Sequence, residues 1–309
     1  MYLSIIIPAY NASIHIGKAL ASVYCGVDKH VLSKIEVIVV NDGSDDVEQL
    51  EKVCSQFHGV RLCHHQRNLG MCAARNTGIF SSHGKYVTLL DADDEFVSDW
   101  YSVFETIVAE WPAQAQVCYT PCINDKGEIT CSMTGYRGWL TAEEIVLGNL
   151  TGEYNPIFRG DYIRDIGYKD IGTRKSCGLL SYLQMARDAP FWVTDKVMRR
   201  YHDSGEQSIT YGWMYPEKAA ETLFCYSKVM EEHGDFIRCV SVKRFLQMKQ
   251  KMLVYRMLSR KGRGLDQWWK NRYMGISWFA TLGLLLLGPS ISARLLGFAK
   301  RANLIRRYG

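Results

Sequence analysis

Several of the commonest functional signatures are missing from this chain of 309 residues. Its ten cysteines, scattered from Cys25 to Cys239, form no C-x-x-C pair and do not read as a disulfide framework. The start, Met1-Tyr2-Leu3-Ser4-Ile5, has neither a basic n-region nor a cleavable apolar stretch. Together these point to reduced thiols in a cytoplasmic protein. There is no G-x-G-x-x-G turn and no P-loop glycine run, which argues against a dinucleotide or triphosphate cradle of those kinds. No internal repeat and no low-complexity tract is present. Nor is there an unbroken apolar run of the roughly 20 residues that a spanning helix needs.

Acidic residues are missing from one end. Sixteen of the 37 Lys and Arg, but one of the 32 Asp and Glu (Asp266), lie from Ile237 onward. The front is acidic and the tail basic, under a modest net charge of +5. A basic tail suits an anionic partner, nucleic acid or the inner face of a membrane. What else the tail carries decides between them. Ile276 to Gly288 is almost wholly apolar, Pro289 ends it, and Arg294 interrupts the next apolar run. Two short helices lying in the membrane interface fit this pattern, anchored by Trp268, Trp269 and Trp278 and by Lys300, Arg301, Arg306 and Arg307. The expected partner is therefore an anionic membrane surface and not nucleic acid.

What is present in the first third is alternation. Leu3 to Ile7, Ile35 to Val40, Val60 to Cys63 and Tyr86 to Leu90 are apolar runs of strand length, continuous as in strands covered on both faces. Between them the pattern predicts helices over Ala12 to Tyr24 after an Asn11 cap, Asp46 to Phe57, and Met71 to Phe80. The class is α/β, with a doubly wound, mostly parallel sheet. The middle is less regular: a hairpin is predicted with arms Val117 to Pro121 and Ile129 to Met133, then a helix over Leu179 to Arg187 and a strand over Phe191 to Val197. From Pro216 the pattern is helical through Lys261. The expected organisation is a domain over 1–215, with a nucleotide-binding half (1–98) and an acceptor half (99–215), followed by a helical region over 216–309.

Sheets of this class bind ligands where strand carboxyl ends converge, and there the polar residues cluster. Asp91, Asp93 and Asp94 follow the fourth strand. Two carboxylates two residues apart can meet one hard divalent cation and the diphosphate it bridges, although the same spacing also describes a solvated turn. After the second strand comes Asn41-Asp42-Gly43-Ser44. Asp42 stands where a carboxylate can accept the imide N–H of uracil or thymine, or where it can serve a helix cap without a ligand.

Taken in order, Ser4-Ile5-Ile6-Ile7-Pro8-Ala9-Tyr10-Asn11, Val39-Val40-Asn41-Asp42-Gly43-Ser44-Asp45-Asp46, Asn68-Leu69-Gly70 leading to Ala73-Ala74-Arg75-Asn76-Thr77-Gly78, and Leu90-Asp91-Ala92-Asp93-Asp94 resemble the family 2 glycosyltransferases of GT-A fold. The resemblance covers the first third closely and the middle third loosely. It implies that Pro8, Ala9 and Tyr10 line a base pocket, Asp42 binds the base, Arg75 approaches the diphosphate, Asp91 the ribose or sugar, and Asp93 the Mn2+ or Mg2+. In Arg199-Arg200-Tyr201-His202-Asp203-Ser204-Gly205 it implies a late segment in which His202 can approach the metal, or else serve as a hydrogen-bonded structural residue. The function implied is inverting transfer of a sugar from a nucleoside-diphosphate sugar, UDP- or dTDP-type, to a saccharide or lipid-linked saccharide acceptor. Surface polysaccharide biosynthesis (O-antigen, capsule or exopolysaccharide), peripheral on the inner face of the membrane, would suit the tail.

One departure bears on catalysis. Where the family places a Glu-Asp pair ahead of a middle-third helix, this chain has Lys175-Ser176-Cys177-Gly178. Asp170 is the nearest carboxylate upstream and becomes the candidate general base, since a thiol at its usual pKa is a poor base for an alcohol. The departure also leaves open a noncatalytic protein that holds a nucleotide sugar or a partner on the same scaffold.

Overall fold

A computed structural model describes residues 1–132, 134–149, 151–202, 214–262, 265–270 and 276–301 of the chain. Asp203-Ser204-Gly205, Arg306 and Arg307 lie outside these residues, as do the side chains of Trp278, Lys300 and Arg301. The chain divides into two compact units, Met1–Ser204 and Gly205–Gly309.

The first unit is a mixed α/β layer structure. Its strands are β1 (Leu3–Ala9), β2 (Ile35–Asn41), β3 (Val60–His64), β4 (Tyr86–Leu89), β5 (Glu95–Phe96), β6 (Val117–Ile123), β7 (Gly138–Leu140), β8 (Tyr154–Arg159), β9 (Phe191–Val193) and β10 (Arg199–Arg200). Its helices are α1 (Ile16–Tyr24), α2 (Lys29–Leu32), α3 (Val47–Cys54), α4 (Met71–Phe80), α5 (Trp100–Glu110), α6 (Ala142–Leu147), α7 (Gly160–Ile166) and α8 (Gly178–Asp188). The sheet runs β3-β2-β1-β4-β8-β6-β10-β5, with β9 on β6 and β7 on β9. Strands β3, β2, β1 and β4 are parallel, Leu3 lying opposite both Ile35 and Tyr86, while β8 enters antiparallel between β4 and β6.

The apolar runs explain this part. In β1 Leu3, Ile5, Ile6 and Ile7 are all fully buried, as they must be in a strand covered on both faces. Leu3, Ile5 and Ile7 share a cluster with Ile16, Leu20 and Val23 of α1 and with Trp100 and Phe104 of α5. Because β2 and β3 leave β1 on one side and β4 returns on the other, the carboxyl ends of β1, β2 and β4 meet at a topological switch point.

Several expected boundaries move. Helix α1 begins at Ile16, not Ala12, because Asn11 and Ser13 are committed to the loop after β2: Asn11 N–H donates to Ser44 Oγ at 3.0 Å and Ser13 N–H to Asp46 Oδ2 at 2.9 Å. The hairpin after β6 reduces to a turn and one bridge, Ile123 to Ile129, because both edges of β6 are occupied, by β8 on one side and by β9 and β10 on the other. The strand expected over Phe191 to Val197 stops at Val193.

The second unit is helical: α9 (Pro216–Val240), α10 (Val242–Leu258), α11 (Leu265–Lys270), α12 (Ile276–Leu287) and α13 (Pro289–Arg301). The continuous helix expected from Pro216 breaks at Ser241, whose side chain accepts from Arg244 N–H and so caps α10. Ala219, Leu253, Tyr255, Met257, Leu258, Trp268, Leu285 and Leu296 form its core. Trp268, expected as an interfacial anchor, is thus an internal packing residue, while Trp269 is exposed. Among the described residues no helix is long and apolar enough to cross a membrane.

Candidate functional site

At the end of β1, Ala9 is buried and the Tyr10 side chain is exposed. The backbone at Ala9 receives Asp42 N–H at 2.8 Å, tying the β1 and β2 exits together. The Asp42 carboxylate is buried: Oδ1 is 2.6 Å from His65 Nδ1 and accepts Leu69 N–H at 2.9 Å, while Oδ2 accepts Gly70 N–H at 2.9 Å. Three of its roughly four lone-pair positions are used, and the free one is on Oδ2. His65 in turn reaches Thr77 Oγ1 of α4 at 2.8 Å, so this histidine links the β2 loop to the helix that carries Arg75. Gly43 has φ +69, and a Cβ there would meet Arg67 Cα at 2.6 Å, which is why the loop after β3 can close onto it.

The acidic turn follows β4, closed by Asp94 N–H donating to Asp91 O at 3.0 Å. Its three carboxylates have three different environments. Asp91 is clamped, with Oδ1 accepting from Arg75 Nη2 and Oδ2 from Arg199 Nη1, each at 3.1 Å. Asp94 is buried, accepting His202 N–H at 2.9 Å and lying 3.4 Å from Arg199 Nη1. Asp93 is partly exposed, and among the described residues its carboxylate has no hydrogen-bond or ion-pair partner. Burial works against charge on Asp91, but the Arg75 and Arg199 guanidinia outweigh it and hold its carboxyl below the ordinary range. At Asp94 burial wins and pushes the carboxyl up to about 8, with the Asp91 and Asp93 charges adding to the push against Arg199 and the His202 N–H.

Arg199 was not singled out by its sequence. It is buried in β10, with Nε 3.3 Å from Cys122 Sγ and Nη2 3.4 Å from Tyr154 O, so it sits under the acidic turn. The advance signals are its place at the head of the late segment Arg199 to Gly205 and a cation directly after the apolar Val197-Met198. Arg75 is less exposed than a surface cation would be; its guanidinium lies 5.5 Å over the Tyr168 ring, and Tyr168 OH pairs with Tyr182 OH at 2.9 Å.

His202 is placed beside the turn, yet its ring is held on both sides: Nδ1 is 2.5 Å from Asp125 Oδ1 and Nε2 is 3.0 Å from Glu95 Oε1. As placed, it offers no lone pair to a metal. Asp170 is exposed in the loop between α7 and α8, where its Oδ1 accepts Gly172 N–H at 2.9 Å. That loop touches the start of α4 through Met71 N–H to Arg174 O at 2.9 Å. Cys177, in the place of the expected acid, is buried at the head of α8.

No group of three or more His, Cys, Asp or Glu among the described residues could hold a metal by itself. The donor set fits a hard cation in another way. One free carboxylate, with further oxygens from a diphosphate and water, is a common arrangement for Mg2+ in phosphate chemistry.

The profile described as Glycosyl transferase family 2 matches residues 4–154, which contain the β1, β2 and β4 exits and α4. Residues 4–154 thus form a glycosyl transferase family 2 domain. The chain is 32% identical over 177 residues to the uncharacterized glycosyltransferase YibD of Escherichia coli, covering 54% of this chain and 50% of that protein. It is 34% identical over 118 residues to the glycosyltransferase GlyA of Streptococcus pneumoniae, covering 37% of this chain and 16% of that one. The chain therefore spans half or less of the length of these relatives. In fold the chain resembles S. aureus TarS 1-349 in complex with UDP-GlcNAc, with a TM-score of 0.58 at 17% identity over 92% of this chain and 80% of the other. It also resembles the mannosyltransferase PcManGT of Pyrobaculum calidifontis in complex with GDP-Man and Mn2+, with a TM-score of 0.54 at 15% identity over 98% and 81% of the two chains. The fold is thus that of the GT-A glycosyltransferases.

Proposed function

We propose that the protein is an inverting glycosyltransferase that moves a sugar from a UDP- or dTDP-type nucleotide sugar to a saccharide or lipid-linked saccharide in surface polysaccharide assembly. The observation that carries this reading is the division of labour in the acidic turn. Asp91 and Asp94 are matched by Arg75 and Arg199, while the Asp93 carboxylate is partly exposed and unpartnered. Asp93 would hold the divalent ion; Mn2+ or Mg2+, when bound, neutralises charge on the leaving diphosphate as a Lewis acid. Arg75 is fixed by Asp91 and Tyr168 and so presents a pre-oriented cation to the same diphosphate. Pro8, Ala9 and Tyr10 line the base pocket, and the free lone pair on Asp42 Oδ2 accepts a pyrimidine imide N–H. His202 would join the metal only by releasing Asp125 or Glu95.

Inversion needs a base for the acceptor hydroxyl. Asp170 takes that role in this reading, since it is exposed in the loop that reaches α4. The unit over Gly205–Gly309 brings the enzyme to the anionic inner surface of the membrane, where a lipid-linked acceptor lies. Cys177 at the position of the expected acid favours a second reading, a noncatalytic nucleotide-sugar-binding protein.

Calorimetry with UDP and Mn2+ tests the site. Asp93→Asn is expected to lose at least about tenfold in affinity, a difference of about 1.4 kcal/mol, together with its dependence on the ion. Equal binding by the parent and the variant would remove Asp93 from the metal. Release of UDP from a UDP-sugar only when a lipid-linked acceptor is added would separate the catalytic reading from the noncatalytic one.

A further inference from the structure

The hairpin of α12 and α13 carries apolar side chains on two faces. Two of its hydroxyls face inward, while that of Ser290 is exposed: Ser292 is 0% exposed, its Oγ donating to Leu284 O at 2.7 Å, and Thr281 is 6% exposed. Five of its large apolar side chains face outward: Phe279 is 56% exposed, Leu286 57%, Ile291 51%, Leu295 47% and Phe298 60%. The outward set is ordered. Ile291, Leu295 and Phe298 recur at i, i+4 and i+7 on α13, one side of a helix, and Phe279 and Leu286 stand seven residues apart on α12. Leu285 and Leu296 occupy the other side and join the core of this unit. The two helices therefore have one apolar face for their own core and a second that water would not select.

The turn between them leaves little backbone unpaired. Gly288, at φ +79, donates its N–H to Leu284 O at 3.2 Å, and its carbonyl accepts Ser292 N–H at 3.1 Å. A hairpin so closed can rest at shallow depth in a bilayer without exposing polar backbone to hydrocarbon.

We propose that this outward face is a monotopic insertion surface for an anionic lipid bilayer, with Phe279, Leu286, Ile291, Leu295 and Phe298 seated among the acyl chains and Arg294 at the headgroups. This deepens the membrane reading given above and rests on it. The occupant follows from charge. From Trp268 to Gly309 the chain carries seven Lys and Arg and no Asp or Glu, and Arg294 is exposed on the same side of α13 as Ile291, Leu295 and Phe298. A second copy of the chain would bring the same cations against them, whereas an anionic bilayer accepts apolar and cationic groups together. Neither helix is long enough to cross, so both lie in the interface plane.

The test is vesicle sedimentation of the full chain, with calorimetric UDP and Mn2+ binding measured on the same preparations. The parent should bind vesicles containing phosphatidylglycerol at least about tenfold more tightly than vesicles of phosphatidylcholine alone. Leu295→Glu with Phe298→Glu should lose at least about tenfold of that binding, and Phe279→Glu, on the other helix, should do the same. Arg294→Ala should lose about fivefold on the anionic vesicles alone. All these side chains are exposed, so the variants should keep the parent's unfolding midpoint and UDP binding. Vesicle binding equal in the parent and both Glu variants would overturn the proposal. So would a lipid-free dimer of the parent that the Glu variants convert to monomer, because a second copy would then cover the face. Loss of UDP binding in every preparation with vesicle binding intact would count against the transferase reading and leave this one standing.

Discussion

Arg199 links residues that the chain separates widely: its partner Asp91 lies 108 positions away. With Asp91, Asp94 and Arg75 it makes one buried network: the two guanidinia hold the Asp91 carboxylate charged, while the Asp94 carboxyl, pushed up to about 8 by burial, lies 3.4 Å from Arg199 as a largely neutral acid at neutral pH. Removing one member of such a group costs more than forming it gained, because the partner charge stays behind without water. Arg199→Met should therefore destabilise the first unit by about 3–5 kcal/mol, read as a lower denaturation midpoint. Arg199→Lys, which keeps the charge but not the fork, should recover part of that loss. A second titrating residue lies far from the site. Glu36 accepts from Ser4 Oγ at 2.6 Å and from His83 N–H, and its Oε2 lies 3.5 Å from Arg61 Nη2. Burial raises its carboxyl, but the hydrogen bonds from Ser4 and His83 and the Arg61 charge together hold it below the ordinary value. A lowered folded-state pKa contributes stability that is present above the unfolded-state value and lost as pH falls through the folded one. The stability advantage of the parent over Glu36→Gln should accordingly be full at neutral pH and shrink in acid; a constant difference across an acid titration would contradict this.

At the scale of elements, the start of α4 is the joint on which the site turns. Gly70, its N-cap, has φ +101, and a Cβ there would come 2.1 Å from Thr173 O. Both the conformation and the space demand glycine, and the same residue donates its N–H to Asp42. Gly70→Ala should cost about 1–3 kcal/mol from backbone strain alone and should weaken UDP binding as well, since the helix it starts carries Arg75. A stability and affinity matching the parent would show that the α4 junction tolerates movement. The four parallel strands and α4 itself were legible in the sequence, because covered strands write themselves as continuous apolar runs and Met71–Phe80 is a local pattern. The exits of β2 and β4 were legible for a related reason: carboxylates concentrated directly after buried strands have few other places to be. What could not be read is what those side chains do to one another across the loops. Asn11 was expected to cap α1 and instead holds Asp45, its Oδ1 accepting that residue's N–H at 2.8 Å. Asp42 carries three internal hydrogen bonds, one of them to His65, that no spacing announces. The predicted hairpin keeps its turn and one bridge, Ile123 to Ile129, and among the described residues goes no further for want of a free edge on β6, a fact about the assembled sheet and not about the segment; Met133, the end of its second arm, lies outside those residues.

At the scale of the molecule, the charge asymmetry and the apolar face of α12 and α13 would act on the proposed membrane docking through different physics, and salt would separate them. Each cation that reaches an anionic surface contributes about 1 kcal/mol, and the attraction falls off within a Debye length, about 10 Å at 0.1 M salt and about 3 Å at 1 M. Apolar insertion does not weaken in this way. If the seven Lys and Arg after Gln267 acted alone, washing a membrane fraction with concentrated NaCl would strip the protein completely. If Phe279, Leu286, Ile291, Leu295 and Phe298 acted alone, salt would change nothing. With both, high salt should release part of the protein from membranes, detergent should release the rest, and Leu295→Glu with Phe298→Glu should turn partial release into complete release. Retention of that double variant in concentrated salt would mean that some other part of the chain holds the membrane.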